Sequence, residues 1–493
     1  MELPVWDLLV FFLYMGGILL FGLSFYFKKR SATDFVTGGG SLPAWALGMS
    51  IFATYVSSIS FLALPGNAYQ NNWNGFVFSL TIPIAALFAV WFFVPIYRKS
   101  ASPSAYAFLE EKFGSWAGMY ASVFYLLTQL ARMGAILYLL ALPMQAQFGW
   151  DIPTVVLITG IAVVAYASFG GIAAVVWTDA IQGLVLIAGA LGCLVLLVWE
   201  LPGGTSQLLE VGAAQQKFSL GSTDWDFSKD TFWMILIYGL FINLQNFGVD
   251  QNYIQRYKSA RNTADARKSI WFGSLLYIPI SLLFFLIGTG LFVYYQEFPE
   301  SLPLHLQATG RADGVFPYFI ATALPPGLSG LLIAAIFAAG MSSLSTSINS
   351  SATVLLENHY KKYFRRSPSP REEVRFLLFG SIGTGLSGIA VGLAFNGVES
   401  ALESWWALAS IFSGGVLGLF LLALLPSRIP RFFLLTAIAG GLLLIGWISL
   451  GKLSPWLPAL HLHPNMAIVL GTTAICITGF GLNLLFSRKS NIH

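Results

Sequence analysis

The sequence predicts an all-α integral membrane protein with 13 transmembrane helices. Its mean hydropathy is +0.72 and only 10% of its 493 residues are charged, whereas soluble domains carry roughly 25%. Apolar runs of about 18 residues or more recur along the chain, and an irregular backbone cannot satisfy its polar groups in hydrocarbon. These observations exclude a soluble protein and favour a bundle of membrane-spanning helices.

The predicted helices follow one another with short connections. They cover residues 5–27, 43–66, 75–97, 115–146, 152–170, 173–199, 231–253, 270–296, 326–357, 374–396, 401–426, 432–451 and 464–487. We expect the first to remain in the mature chain, because it begins with acidic residues and its basic cluster, Lys28 to Arg30, follows the apolar run.

Basic residues predict the orientation. With loops assigned alternately to the two sides, 21 of the 26 Lys and Arg residues fall on one side, four fall on the other and Arg132 lies within a helix. The five basic residues from Arg256 to Lys268 are counted in an inner loop. The positive-inside rule then places the amino terminus outside and the carboxyl terminus in the cytoplasm, in a multi-pass protein of the inner (plasma) membrane. The net charge of +4 follows from this bias and implies no nucleic-acid partner.

The chain is expected to form one polytopic domain, 1–493, with an internal repeat. After a leading helix, 5–27, two five-helix blocks cover 43–200 and 231–426, and two peripheral helices cover 432–487. An odd number of helices per block makes this a five-plus-five inverted repeat, as in many secondary transporters, in which the first helix of each repeat is broken. The loops leave no room for an ATPase module, so we expect transport driven by a gradient.

Polar interruptions occur at corresponding places in the two predicted repeats. The first helix of repeat 1 carries Ala53 to Ser60, and the first helix of repeat 2 carries Phe241 to Gly248. Free carbonyls at such breaks bind ions and substrate in transporters. We therefore expect a binding site where the two broken helices meet.

The ninth helix has seven hydroxyl side chains in the ten positions from Ser342 to Ser351. Ala339, Ser342, Ser343 and Thr346 share one face, with Ser345 beside it. Hydroxyl and carbonyl oxygens suit a hard cation such as sodium. The alternative is that small residues only allow close helix packing.

Two charged residues are predicted within the membrane. Asp179 lies in an apolar part of the sixth helix and needs a partner, and Arg132 lies in the middle of the fourth. A guanidinium group suits a substrate carboxylate, and a structural salt bridge is the alternative.

Four stretches resemble the sodium/solute symporter family over essentially the whole chain. They are Phe52 to Phe61, Trp177 to Gly183, Gln251 to Tyr257 and Ala338 to Ser350. The resemblance implies a leucine-transporter-type core. It also implies a first sodium ion held by the carbonyls of Ala53, Val56 and Ala339 and the hydroxyls of Ser342 and Ser343.

Within the family, the chain looks most similar to bacterial sodium-coupled sialic acid transporters. That likeness implies a substrate carboxylate on Arg132, hydroxyl contacts from Ser57 and Ser60, and a second sodium ion on Asp179, Ser342, Ser345 and Thr346. Tyr55 stands where a threonine is expected, and Ser79 stands where a glutamine is expected. Further substrate-binding candidates come from the polar interruption of repeat 2, namely Phe241, Asn243 and Gln245.

The expected function is sodium-coupled symport of an organic anion, with sialic acid (N-acetylneuraminate) as the favoured substrate. A neutral sugar, a short monocarboxylate and an amino acid stay open as alternatives. A channel would need a continuous polar lining, a sensor would need a signalling domain and an enzyme would need a nucleophile with a base, so the sequence disfavours these three classes. Sodium is the only small cofactor expected, as the transported coupling ion, and apart from the lipid bilayer no protein partner is required.

Overall fold

A computed structural model describes residues 5–25, 31–307, 312–396, 401–425, 429–450 and 460–490. Within these ranges the regular secondary structure is helical, apart from one isolated bridge between Leu42 and Ala260. Of the basic residues used for the orientation, Lys28, Lys29, Arg30, Arg311, Arg428 and Lys452 lie outside them.

The α-helices are numbered here in chain order. They are α1 (Val5–Ser24), α2 (Ala32–Thr37), α3 (Ala44–Tyr55), α4 (Ser58–Gln70), α5 (Phe76–Leu80), α6 (Ile82–Phe88), α7 (Val94–Lys99), α8 (Ala107–Phe113), α9 (Ser115–Phe148), α10 (Ile152–Glu200), α11 (Gly204–Ala214), α12 (Phe232–Val249), α13 (Gln251–Ser259), α14 (Thr263–Glu297), α15 (Leu304–Gln307), α16 (Val315–Thr322), α17 (Leu328–Val354), α18 (Pro370–Ala394), α19 (Ala401–Ala423), α20 (Arg431–Leu450) and α21 (Met466–Ser490).

The all-helical membrane class is confirmed. In the described part of the chain, nine helical segments are long and apolar enough to cross a membrane, or up to 11 if each of two bent pairs is one span. Helix α10 is a special case, because its 49 residues contain a non-helical Gly171 with φ of 59°. At 1.5 Å per residue it is more than twice as long as the hydrocarbon core is thick.

The first bent pair lies at the break predicted for repeat 1. Val56 ends α3 in an extended conformation, and Ser57 begins α4 by accepting a hydrogen bond from the backbone N–H of Ser60. The two helix axes differ by 55°. Serine is a favoured N-cap residue, so the local sequence accounts for the new helix start.

The second bent pair corrects the position predicted for the other break. Residues 241–248 lie within α12, and the chain bends by 47° only after them, at Asp250. Asp250 is extended and accepts a hydrogen bond from the N–H of Asn252 at 2.8 Å, so it starts α13. The side-chain amide of Asn243 donates a hydrogen bond to the Thr81 hydroxyl, which lies outside α12, and the α12 backbone stays helical.

Helix α17 occupies the centre of the bundle. In its most apolar stretch 94% of the residues are buried, and it packs against α1, α9, α10 and α18. The broken helices α3 and α4 also contact it. The helix with the predicted ion ligands is therefore enclosed by protein, not by lipid.

Candidate functional site

The first predicted sodium cluster assembles where α3 ends against α17. The Ser342 hydroxyl lies 2.9 Å from the carbonyl oxygen of Ala53 and 3.0 Å from that of Ala339. The Ser343 hydroxyl lies 3.3 Å from the Ala339 carbonyl. Val56 lies at the break itself, and all five residues are buried. The cluster is thus made of neutral oxygens that come from two helices.

In the second predicted cluster Asp179 lies on α10, whereas Ser345 and Thr346 lie one helical turn beyond Ser342 on α17. The Oδ2 atom of Asp179 accepts a hydrogen bond from Ser50 at 2.6 Å, while its buried Oδ1 atom forms no hydrogen bond with any described residue. The Ser345 hydroxyl donates to the Ser342 carbonyl at 3.1 Å. The Thr346 hydroxyl lies 3.5 Å from that of Thr54.

Arg256 enters this second cluster, and sequence reasoning missed it. Its guanidinium donates to Asp179 Oδ2 at 2.8 Å and to the Thr346 hydroxyl at 2.7 Å. It also donates to the Ser50 hydroxyl at 2.8 Å and to the Asn252 carbonyl at 2.5 Å. Both charged side chains are fully buried. A buried ion pair is stable only when its hydrogen-bonding capacity is satisfied, and these contacts satisfy it in large part.

The loop assignment of Arg256 was therefore wrong. Helix α13 continues from Asp250 to Ser259 and turns Arg256 into the protein. Two signals were available in the sequence: Asp250 is a good N-cap residue, and the stretch Gln251 to Tyr257 had already been singled out for its resemblance. Together they indicate a helix that continues beyond the predicted end at residue 253.

Arg132 reaches both helix breaks. Its Nη2 atom lies 3.4 Å from the carbonyl oxygen of Thr54, in the last turn of α3, and its Nη1 atom lies 3.9 Å from Oδ2 of Asp250. The side chains of Arg132 and Asp250 are 18% and 14% exposed. One guanidinium group therefore contacts both broken helices, and its contact with Asp250 is long enough to be exchanged for a ligand carboxylate.

Three other substrate-binding candidates lie at the first break. The hydroxyls of Ser57 and Ser60 are 3.5 Å apart. The Tyr55 hydroxyl accepts a hydrogen bond from the side chain of Asn246 at 3.3 Å, and its ring packs edge-on against Tyr277. Tyr55 thus links the end of α3 to α12.

The remaining candidates have other neighbours. The Ser79 hydroxyl lies 2.7 Å from that of Ser281, Asn243 donates to Thr81 at 2.8 Å, and Phe241 packs among apolar side chains. Gln245 lines a small cavity of about 30 Å³ together with Tyr125, Gln129 and Asp250. Ser79, Asn243 and Phe241 therefore contact other helices and side chains, whereas Gln245 shares its cavity with Asp250, the residue that Arg132 contacts.

Comparison with known proteins decides the family. The model of the sodium:solute symporter family matches residues 35–440. The sodium/sialic acid symporter SiaT of Proteus mirabilis is 34% identical over 85% of this chain and 84% of its own length. The chain belongs to the sodium:solute symporter family. It is therefore a membrane transporter and not an enzyme.

Other relatives and structures agree with this assignment. The sodium/sialic acid symporter NanT of Aliivibrio fischeri is 29% identical over 97% of this chain and 93% of its own length. The solved structure of a Na⁺-coupled sialic acid symporter, in a substrate-bound outward-open state with a novel Na⁺ site, has a TM-score of 0.89 at 30% identity and covers 97% of each chain. A nucleobase-cation-symport-1 family transporter shares the fold, with a TM-score of 0.62 at 14% identity.

Two hydroxyls in the second half of the symporter's α17, those of Ser347 and Ser350, belong to a polar network that sequence reasoning also missed. Ser347 donates to Gln129 at 2.7 Å, and Ser350 donates to Asn252 at 2.5 Å. Tyr125 donates to Asn252 at 2.9 Å. These serines join α17 to α9 and α13, so the packing interpretation applies to them, whereas Ser342 and Ser343 face the helix break.

Proposed function

We propose that the protein imports a carboxylate-bearing sugar, with sialic acid as the favoured substrate, together with two sodium ions. The observation that carries this proposal is the position of Arg132, whose guanidinium contacts both helix breaks beside the neutral oxygen cluster. A guanidinium fork binds a carboxylate through two parallel hydrogen bonds. The sialic acid symporters among the relatives support the choice of substrate.

The first sodium ion is assigned to Ala53, Val56, Ala339, Ser342 and Ser343. Support comes from the Ser342 hydroxyl, which lies within 3.0 Å of two carbonyl oxygens from two helices. An ion there would draw α3 and α17 together, because one cation would bind carbonyl and hydroxyl oxygens of both helices at once, and each hydroxyl would keep its hydrogen. Sodium binding would thereby order the broken helix that lines the substrate pocket.

The second sodium ion is assigned to Asp179, Ser342, Ser345 and Thr346. Asp179 binds Arg256 and Ser50 through Oδ2, and its buried Oδ1 atom is left as an acceptor for a cation. Arg256 lies close enough to repel that cation, so this site is expected to bind sodium more weakly than an isolated carboxylate would. Weak binding suits an ion that must be released into the cytoplasm.

The architecture that goes with this function has 13 spans in a five-plus-five inverted repeat, with the domain boundaries given above. Helix α10 must contribute two spans because of its length and the break at Gly171, and α19 adds a further helix of 23 residues. The amino terminus is outside and the carboxyl terminus is in the cytoplasm. The break at Val56 and the break at Asp250 correspond in the two repeats.

Release requires the inner end of the site to open. Arg98 of α7 donates to the carbonyls of Tyr257, Lys258 and Ala260 at the end of α13, the closest at 2.9 Å. The Lys258 ammonium donates to the carbonyl of Ser100 at 2.6 Å. We infer that these bonds close the inner side, and that alternating access breaks them when the loaded core tips inward.

Uptake into liposomes tests the substrate and the coupling together. Purified protein should accumulate labelled N-acetylneuraminate with an inward sodium gradient and not with a matched potassium gradient. Two sodium ions with one monoanion carry one positive charge, which gains about 2.3 kcal/mol per 100 mV. An inside-negative potential set with valinomycin should therefore increase accumulation, and indifference to the potential would contradict two sodium ions.

The variant Arg132→Ala tests the carboxylate site. It should lose N-acetylneuraminate uptake but keep sodium binding, with the exposed Arg371→Ala in the first turn of α18 as the control. A variant that unfolds at much lower temperature and also loses sodium binding would instead show a structural salt bridge. Competition with short monocarboxylates separates the second candidate, because sodium-coupled monocarboxylate transporters are also among the relatives, at 29% identity.

A further inference from the structure

The leading helix α1 carries a buried carboxylate that the proposed transport sites do not use. Asp7 is 1% exposed. Its Oδ1 atom accepts hydrogen bonds from the backbone N–H groups of Gly327 at 2.6 Å and Gly330 at 2.8 Å. These are the N-cap and third residues of α17. A carboxylate in hydrocarbon needs a partner, and here that partner is the positive end of a helix dipole.

The sequence at the start of α17 leaves a place for this contact. Gly327, the N-cap residue, has no side chain to accept a hydrogen bond, and its φ of +93° is strained for other residues. A Cβ atom on Gly330 would lie 2.5 Å from the carbonyl oxygen of Asp7. Helix α17 therefore begins with two glycines that admit a cap from another helix, 320 residues away in sequence.

Further contacts join α1 to α17 beyond this cap. The ring of Phe11 packs edge-on against Phe337, with centroids 5.1 Å apart. Near the other end of α1, Gly22 packs against the side chain of Tyr166 so closely that an added Cβ atom would lie 2.9 Å from the Cβ atom of Tyr166. The Tyr166 hydroxyl donates to the carbonyl oxygen of Met341 at 3.2 Å, one residue before Ser342.

We propose that α1 positions α17, the helix that carries the proposed sodium ligands, and that Asp7 is the positioning residue. The cap fixes the depth and rotation of α17 at its outer end, and the Tyr166 contact fixes it beside the ion ligands. A helix transmits such a constraint because its residues are joined by regular backbone hydrogen bonds. This inference rests on the proposed sodium sites, since α17 carries Ala339, Ser342 and Ser343.

Sodium binding to the purified protein provides the test and needs no substrate. NaCl is titrated against choline chloride at constant ionic strength, and binding is followed by calorimetry. Loss of a helix cap costs about 0.5–2 kcal/mol, which is about twofold to thirtyfold in an equilibrium constant, so Asp7→Ala should weaken sodium binding within this range. Asp7→Asn should weaken it less, because the amide oxygen still accepts hydrogen bonds. Gly330→Ala should reproduce the defect from the opposite side with the carboxylate intact.

The matched control is Gly17→Ala on the same helix α1. Apart from the backbone of α1 itself, no described atom lies within 4 Å of the added methyl group. A lower melting temperature with unchanged sodium affinity in both Asp7→Ala and Gly330→Ala would overturn the inference, since it would make the cap purely structural. If Asp7→Ala does not fold, Asp7→Asn and Gly330→Ala decide the question. If Ser343→Ala also leaves sodium affinity unchanged, the proposed sodium site itself fails, whatever the Asp7 variants show.

Discussion

The two proposed sodium sites beside α17 share Ser342 but differ in charge. The first contains only carbonyl and hydroxyl oxygens. The carbonyl of Ala53 is available to Ser342 because α3 ends at a break. The second contains Asp179, which already has a cationic partner in Arg256. The neutral cluster therefore depends on backbone geometry, whereas the charged cluster depends on the balance between an internal guanidinium and an incoming ion.

This difference has a consequence for how each cluster tolerates change. Removing an oxygen from the neutral cluster leaves no charge unpaired, so its effect should appear in sodium affinity. Removing the carboxylate from the charged cluster leaves a buried guanidinium, so its effect should appear first in stability. The predictions below test this contrast.

The largest effect is expected from Asp179→Ala. It leaves Arg256 buried without its counter-ion and should lower the free energy of unfolding by about 3–5 kcal/mol. Thermal unfolding in detergent measures this loss, with the exposed Glu210→Ala as control. The double variant Asp179→Leu with Arg256→Met should recover much of the stability, because apolar residues of similar volume can replace a buried ion pair. Equal melting temperatures for Asp179→Ala and the original protein would remove the contrast.

An intermediate effect is expected from Ser343→Ala. Its hydroxyl lies against the Ala339 carbonyl within the same helix, so stability should change by about 1 kcal/mol or less. Sodium should bind about tenfold or more weakly, because an ion ligand is lost. Ser351→Ala is the matched control, since Ser351 is buried on α17 and its hydroxyl has no hydrogen-bond partner among the described residues. Similar sodium affinities for the two variants would argue against the neutral cluster.

The smallest effect is expected from Tyr55→Phe. This change keeps the aromatic packing but removes the hydrogen bond to Asn246, which links the first break to α12. A lost neutral hydrogen bond costs about 0.5–1.5 kcal/mol, so half-saturation by N-acetylneuraminate should rise about threefold to tenfold. Sodium affinity should stay unchanged, with Tyr294→Phe near the end of α14 as control. A shift in sodium affinity alone would place Tyr55 in the ion cluster and not in the substrate pocket.

Sequence reasoning was right where the deciding interactions are local. The helical class, the first break and the shared face of Ser342 and Ser343 follow from hydropathy, the polar interruption at Ala53 to Ser60 and helical periodicity. It was wrong about the second break, because polar side chains in α12 bond to neighbouring helices while the backbone stays helical. It also ended the seventh helix too early, and for that reason it placed Arg256 in a loop.

The sequence by itself thus determined that the chain is a helical membrane protein and which helix presents a column of oxygens. Only the tertiary structure decided which charges meet. Asp179 and Arg256 are 77 residues apart, and Asp7 and Gly327 are 320 residues apart. In an apolar interior each buried charge must find a partner, but the identity of that partner depends on how the helices pack, and no local pattern specifies it.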